Sequence, residues 1–175
     1  MRRRLQVTPA SAPPGAGRRR AITLAAAALL AALDLAAKAW ANHALPGAPV
    51  EGGLLDLQLA FNSGAAFSLG ASAPTWTLLT VTGAVTAAVA VLAWRAATTM
   101  NRAMRAALAA ILGGAAANLI DRAADGVVTD YLAAGWWPTF NLADVFIVTG
   151  GIIFAALSSL GRSHDPRRQG PTPGR

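Results

Sequence analysis

Four long apolar segments constrain this chain more than any other feature. They cover residues 21–41, 75–94, 103–121 and 143–160, each close to the ~20 residues a helix needs to cross a bilayer. Hydrocarbon offers no partners to backbone N–H and C=O groups, so segments of this kind fold as helices. The first segment is interrupted by Asp34 and Lys38, four apart and hence on one face, where a carboxylate preceding an ammonium pairs well. Trp76 and Trp94 stand near the ends of the second as interfacial anchors. The third is rich in Ala and Gly, which lets helices approach closely in lipid.

Between the first two segments, Leu55-Asp56-Leu57-Gln58-Leu59-Ala60-Phe61 alternates apolar and mostly polar residues. That period of two predicts a half-buried strand, and Gly52-Gly53 and Asn62-Ser63-Gly64 supply turns on either side. The expected fold is therefore an all-α membrane protein, four transmembrane helices with a small extracytoplasmic β-sheet element. One membrane domain over 20–161 is expected, flanked by disordered cytoplasmic tails at 1–19 and 162–175, which are rich in Arg, Pro and Gly.

Composition agrees. The chain is 54% hydrophobic and 13% charged, with mean hydropathy +0.44, too apolar for an ordinary soluble domain of this length. Its net charge of +7 raises the question of nucleic acid, but the distribution of that charge answers it. Thirteen of the fifteen basic residues fall at 2–20, 95–105 and 162–175, leaving only Lys38 and Arg122 elsewhere. Clusters that flank apolar runs follow the positive-inside rule, and no nucleic-acid partner is expected. Both termini and the 95–105 loop are assigned to the cytoplasm, and the 42–74 and 122–142 loops to the outside. The segment from Arg18 to residue 33 also has the outline of a cleavable signal peptide. Asp34 and Lys38 favour a retained helix, since an ion pair has little purpose in a discarded one. There is no cysteine, and His43 and His164 lie far apart, so neither a metal site nor another cofactor is expected.

Acidic residues number only eight, and a carboxylate at a bilayer edge is costly enough to need a reason. Asp130 lies on the loop joining the third and fourth spans, and Asp144 begins the fourth. Asn62, Asn118, Asp121, Arg122, Asp125 and Asn141 are the other polar residues assigned to the outer face, Asp125 as a solvated loop charge. Asn118 and Asp121 are three apart and share a helix face. Two carboxylates converging on one pocket suggest a shared proton, the chemistry of an aspartyl hydrolase.

Five stretches taken in order carry a resemblance. They are Asp34 with Lys38; Phe61-Asn62-Ser63-Gly64-Ala65-Ala66-Phe67; Gly113-Gly114-Ala115-Ala116-Ala117-Asn118-Leu119-Ile120-Asp121-Arg122; Gly126-Val127-Val128-Thr129-Asp130-Tyr131; and Phe140-Asn141-Leu142-Ala143-Asp144. Together they resemble lipoprotein signal peptidase (signal peptidase II), a family of bacterial inner-membrane aspartyl proteases. The resemblance implies Asp130 and Asp144 as the catalytic pair and Asn62, Asn118, Asp121, Arg122 and Asn141 as substrate-binding pocket residues. It also implies prolipoproteins bearing a diacylglyceryl-modified cysteine as substrates, cut just before that cysteine, with membrane lipid as the surroundings. A monomer is expected. This chain departs from the family pattern at Ala117, where Gly is usual, at Tyr131, where Phe is common, and in a short segment between the two aspartates.

Blander readings stand beside these. Asp144 as a helix N-cap, Asn62 as a turn former, Asn118 as an interhelical bond and Arg122 as a snorkelling anchor each fit the local sequence. Arg122 as a holder of a lipid phosphate or a substrate carbonyl fits as well. Asp34 and Lys38 read as a structural ion pair. A proton-coupled transporter and a non-enzymatic membrane assembly factor are the other functions open to such a chain. The acids gather at one face instead of forming a relay through the bilayer, which speaks against transport.

Overall fold

Alanine, leucine and arginine are strong helix formers, and they carry the first helix further than the apolar segment alone. The computed structural model describes residues 15–64 and 74–163, with side chains as far as 160. Helix α1 spans Ala16–Ala44, so residues 16–19, assigned above to a disordered tail, are helical. Arg162 and Ser163, assigned to the other tail, are helical as well, while residues 1–14, residues 164–175 and the 65–67 part of the second motif lie outside the described residues. Helix α2 covers Thr75–Ala96, α3 Arg102–Asp125 and α4 Leu142–Ser163. All four are long and apolar enough to cross a membrane.

Helix α3 is the centre of the bundle. It packs against α1, α2 and α4, whereas α2 and α4 make little or no contact with each other. Small residues permit the close crossings. A Cβ placed on Gly113 would come within 2.7 Å of the Ala27 carbonyl oxygen in α1, and one on Gly114 within 2.4 Å of the Ala143 carbonyl oxygen in α4. Further along the α3–α4 crossing, a Cβ on Gly150 would meet the Ala107 carbonyl oxygen at 2.8 Å. In α2 the threonines settle their hydroxyls on the preceding turn, Thr82 on Leu78 O and Thr86 on Thr82 O, each at 2.7 Å.

Asn101 caps α3 by accepting from Met104 N at 2.9 Å, and Gly126 ends it with a left-handed backbone, φ 79°. Only glycine adopts that conformation without strain. The chain then turns directly into β2, Val128–Ala133, which pairs antiparallel with β1, Asp56–Asn62. Asp130 faces Ala60 in the register, and the ladder is irregular between Leu57 and Ala60. Strand β2 is a correction to the sequence reading, which put Asp130 on a loop. The alternation that marks a one-sided strand is missing here because nearly every residue of β2 is buried.

Candidate functional site

A tight return after β2 brings the two aspartates together. Phe140 pairs back onto Leu132, with Phe140 N donating to Leu132 O at 2.9 Å and Leu132 N to Phe140 O at 2.8 Å. Trp136 and Trp137 sit at the tip in an edge-to-face pair, ring centroids 5.3 Å apart. The loop deposits Asn141 directly beside β2 and opens α4.

Asn141 is fully buried and joins both acids. Its Nδ2 donates to Asp130 Oδ1 at 2.7 Å. Its Oδ1 accepts from Asp144 N at 3.0 Å, while its own backbone N donates to Asp144 Oδ2 at 3.2 Å. That reciprocal pair is a capping box, with Asn141 as the cap and Asp144 three residues in. Asp144 is thus not the N-cap of α4.

The opening turn of α4 has four backbone N–H groups that no helical partner can satisfy. Side chains from three elements take up the first three. Tyr131 Oη accepts from Leu142 N at 3.2 Å, Asp34 Oδ1 from Ala143 N at 2.8 Å and Asn141 Oδ1 from Asp144 N at 3.0 Å. Tyr131 therefore supplies an acceptor that phenylalanine lacks. Burial pushes its hydroxyl up to about 12, so it stays protonated.

Behind the acids lies a buried charge cluster. Lys38 Nζ is 2.9 Å from Asp34 Oδ2, 3.2 Å from Asp121 Oδ2 and 2.6 Å from Asn118 Oδ1. With its carbonyl held by the ammonium, Asn118 turns its Nδ2 to Asp144 Oδ1 at 3.0 Å. Asp121 Oδ2 also accepts from Thr129 N at 2.8 Å, tying α3 to β2. The cluster answers the problem of charge in lipid, since each member has an opposite charge or a hydrogen bond.

Arg122 is buried beside this cluster. Its Nη2 donates to the carbonyls of Asn62, at 3.2 Å, and Gly64. The guanidinium thus grips the chain's own backbone just after β1. Asn62 Oδ1 accepts from Gly64 N at 2.9 Å, a local turn, and the Asn62 side chain also hydrogen-bonds Asp130.

A cavity of about 520 Å3 opens onto these groups. Asn62, Asn118, Arg122, Asp130, Asn141 and Asp144 form its polar end, and Val81, Val85, Val89, Ile111, Ile147 and Val148 continue it as an apolar cleft between α2 and α4. Asp121, expected in the pocket, lies behind it, where Lys38 and Thr129 occupy its carboxylate. Asp34 and Lys38 also stand behind the wall. Among the described residues no group of His, Cys, Asp and Glu is arranged to hold a metal ion.

Burial, and then the charge of Asp144, push the carboxyl of Asp130 up to about 6, against hydrogen bonds from Asn141 and Asn62 that favour its ionised form. Two interacting carboxylates, one of them titrating at about 6, can share one proton between them near that pH. Such a pair can act as base and acid in a hydrolysis.

Sequence reasoning had not foreseen the bond from Ala143 N to Asp34 or that from Leu142 N to Tyr131. Neither leaves a local signal, since the first joins residues 109 positions apart.

The fold and site define a multi-pass α-helical membrane protein with a carboxylate pair at the head of an apolar cleft. Solved structures share the fold. One bacterial membrane enzyme, determined in meso at 2.3 Å, matches with a TM-score of 0.71 at 20% identity, covering 87% of this chain and 95% of its own. Another, at 1.9 Å, matches with a TM-score of 0.66 at 21% identity over 79% and 92%. The family described as Signal peptidase (SPase) II matches residues 26–160. Lipoprotein signal peptidase of Mycobacterium avium (strain 104) is 38% identical over 90% of this chain and 87% of its own length. That of Mycobacterium tuberculosis (strain H37Rv) is 39% identical over 89% and 78%, and that of Rhodococcus jostii (strain RHA1) 37% over 91% and 84%. The chain belongs to the signal peptidase II family. It is a peptidase and a multi-pass protein of the bacterial inner membrane, and neither a transporter nor an assembly factor is favoured by these matches.

Proposed function

We propose that Asp130 and Asp144 are the catalytic pair of an endopeptidase that cuts prolipoproteins just before a diacylglyceryl-modified cysteine. The observation that carries this reading is Asn141, whose side chain donates to the Asp130 carboxylate and whose backbone N donates to the Asp144 carboxylate at the polar end of the cleft. The ionised carboxylate takes a proton from a water as that water attacks the scissile carbonyl carbon. The protonated carboxyl hydrogen-bonds the carbonyl oxygen, and its proton passes to the leaving amide nitrogen as the C–N bond breaks. The products are a free carboxylate on the signal peptide and a free amine on the cysteine.

The remaining polar residues have distinct parts. Asn141 holds both acids in register, and Asn118 orients Asp144. Asn62 bonds Asp130, and Arg122 fixes the backbone that carries Asn62. Asp121 acts indirectly by holding Lys38 and the start of β2. The cleft between α2 and α4 suits an apolar signal helix and acyl chains arriving from the lipid. The arginine distribution supports an orientation with both termini in the cytoplasm and the aspartates near the extracytoplasmic face. The chain acts as a monomer within membrane lipid.

The test is complementation in bacteria that lack their own signal peptidase II, following the conversion of prolipoprotein to mature lipoprotein. The wild-type chain is expected to restore processing. Asp130→Asn and Asp144→Asn, shown by membrane fractionation to be inserted, are expected to restore none. Processing that survives either substitution would remove that residue from the mechanism.

A further inference from the structure

The end of the bundle far from the aspartates holds a second cavity. It is a groove of about 460 Å3 between the opening turns of α1 and α3. Arg18, Arg102 and Arg105 line it together with the apolar Ile22, Ala26 and Ala109. Arg102 and Arg122 are separated by twenty residues of one helix, about 30 Å or one hydrocarbon thickness. The groove and the aspartates therefore stand at opposite membrane interfaces.

What distinguishes the groove is uncompensated charge. The neighbouring arginines are engaged elsewhere: Arg19 Nη1 donates to Thr98 O at 3.0 Å and Arg20 Nε to Trp94 O at 3.2 Å, with the Arg20 guanidinium 4.6 Å from the Trp94 ring centroid. Arg105 Nη1 reaches Met100 O at 3.4 Å. Neither α1 nor α3 has an acidic residue in its first turn. Among the described residues the ion pairs are those of Lys38, at the other end of the bundle. Three guanidiniums on two helices thus share a groove that has no carboxylate among its described residues, and half of the Ile22 surface beside them is exposed.

We propose that this groove binds an anionic phospholipid, its phosphate among Arg18, Arg102 and Arg105 and one acyl chain along Ile22, Ala26 and Ala109. Guanidiniums bind phosphate through paired, charge-assisted hydrogen bonds. Basic residues at this depth favour anionic over zwitterionic lipid by roughly fivefold each at moderate ionic strength. The apolar wall selects a lipid over a soluble phosphate, which would leave that wall uncovered. A lipid held there bridges α1 and α3 at the end where no bond of the acidic cluster reaches.

The full-length protein in zwitterionic detergent, titrated with phosphatidylglycerol and examined by native mass spectrometry, tests this. Wild type is expected to retain phosphatidylglycerol at least tenfold better than phosphatidylcholine, with a matching rise in melting temperature. The double variant Arg18→Gln/Arg102→Gln is expected to lose that preference while keeping its peptidase activity and its melting temperature in phosphatidylcholine. Arg19→Gln, which removes a charge outside the groove, is expected to keep most of it. The proposal fails if the double variant retains phosphatidylglycerol as wild type does. It also fails if Arg19→Gln loses as much as the double variant, or if inorganic phosphate displaces the lipid or reproduces the thermal shift.

Discussion

Replacing Asp130 by asparagine is expected to make the protein more stable while abolishing its activity. The carboxyl is pushed from 3.8 up to about 6, first by burial and then by the Asp144 charge. A carboxyl raised in this way holds its proton more tightly in the folded state than in the unfolded one. The folded state therefore gains stability as pH falls from about 6 towards 4, and lacks that gain above 6. At 1.36 kcal/mol per pH unit, the interval amounts to about 3 kcal/mol withheld at neutral pH. The amide removes the charge but brings an NH2 into a site where Asn141 and Asn62 already donate. An imperfectly placed donor costs about 1 kcal/mol, which leaves a net gain of about 2 kcal/mol. For a chain of this size that gain corresponds to a melting temperature higher by roughly 4–8 °C. The assay is thermal unfolding of wild type and Asp130→Asn in one detergent at pH 7.5 and pH 4, alongside prolipoprotein cleavage. The advantage of the variant should be full at pH 7.5 and gone at pH 4, where wild type melts level with it or slightly above, with no cleavage at either. A variant that melts at or below wild type at pH 7.5, or an advantage that ignores pH, would refute the reasoning.

Three further changes probe the supports of the site. Lys38→Met leaves the buried carboxylates of Asp34 and Asp121 without their cation, and a loss of about 3–5 kcal/mol is expected in unfolding experiments. Gly114→Ala forces a Cβ against the Ala143 carbonyl; destabilisation of about 1–3 kcal/mol is expected, with a larger loss of kcat than a substitution at Gly83, beside which a Cβ meets nothing. Tyr131→Phe removes the acceptor for Leu142 N and should cost about 1 kcal/mol in stability, measured by chemical denaturation.

The four spans were legible because the bilayer imposes a length and an apolar composition that few other structures share. The limits were harder. Arginines and alanines extend α1 back to Ala16, since helix formation does not stop where hydropathy does. Strand β1 showed itself through alternation, being half buried. Strand β2 did not, because burial on both faces erases the alternation and leaves Val128-Thr129-Asp130-Tyr131 looking like loop. At the site, the spacing of Asn118 and Asp121 indicated a shared face, and both do reach Lys38. That Asp121 would be turned away from the cavity was not readable, because it depends on the packing of α1 against α3. The carbonyls held by Arg122 belong to the chain itself, which neither the snorkelling nor the ligand reading contained.

The capping of α4 has a consequence for biosynthesis. Its first three N–H groups are taken by residues from α1, from β2 and from the turn before it. Asp34 enters the membrane with the first span, already neutralised by Lys38 one turn on, and waits there for an N–H that lies 109 residues further along the chain. A chain whose synthesis stops short of α4 lacks Asp144 altogether, and a chain whose α4 is present but undocked leaves Asp144 without Asn118. On the proposed mechanism, hydrolytic competence arises only when α4 seats against α1 and α3, so half-made copies would not cut their neighbours in the membrane.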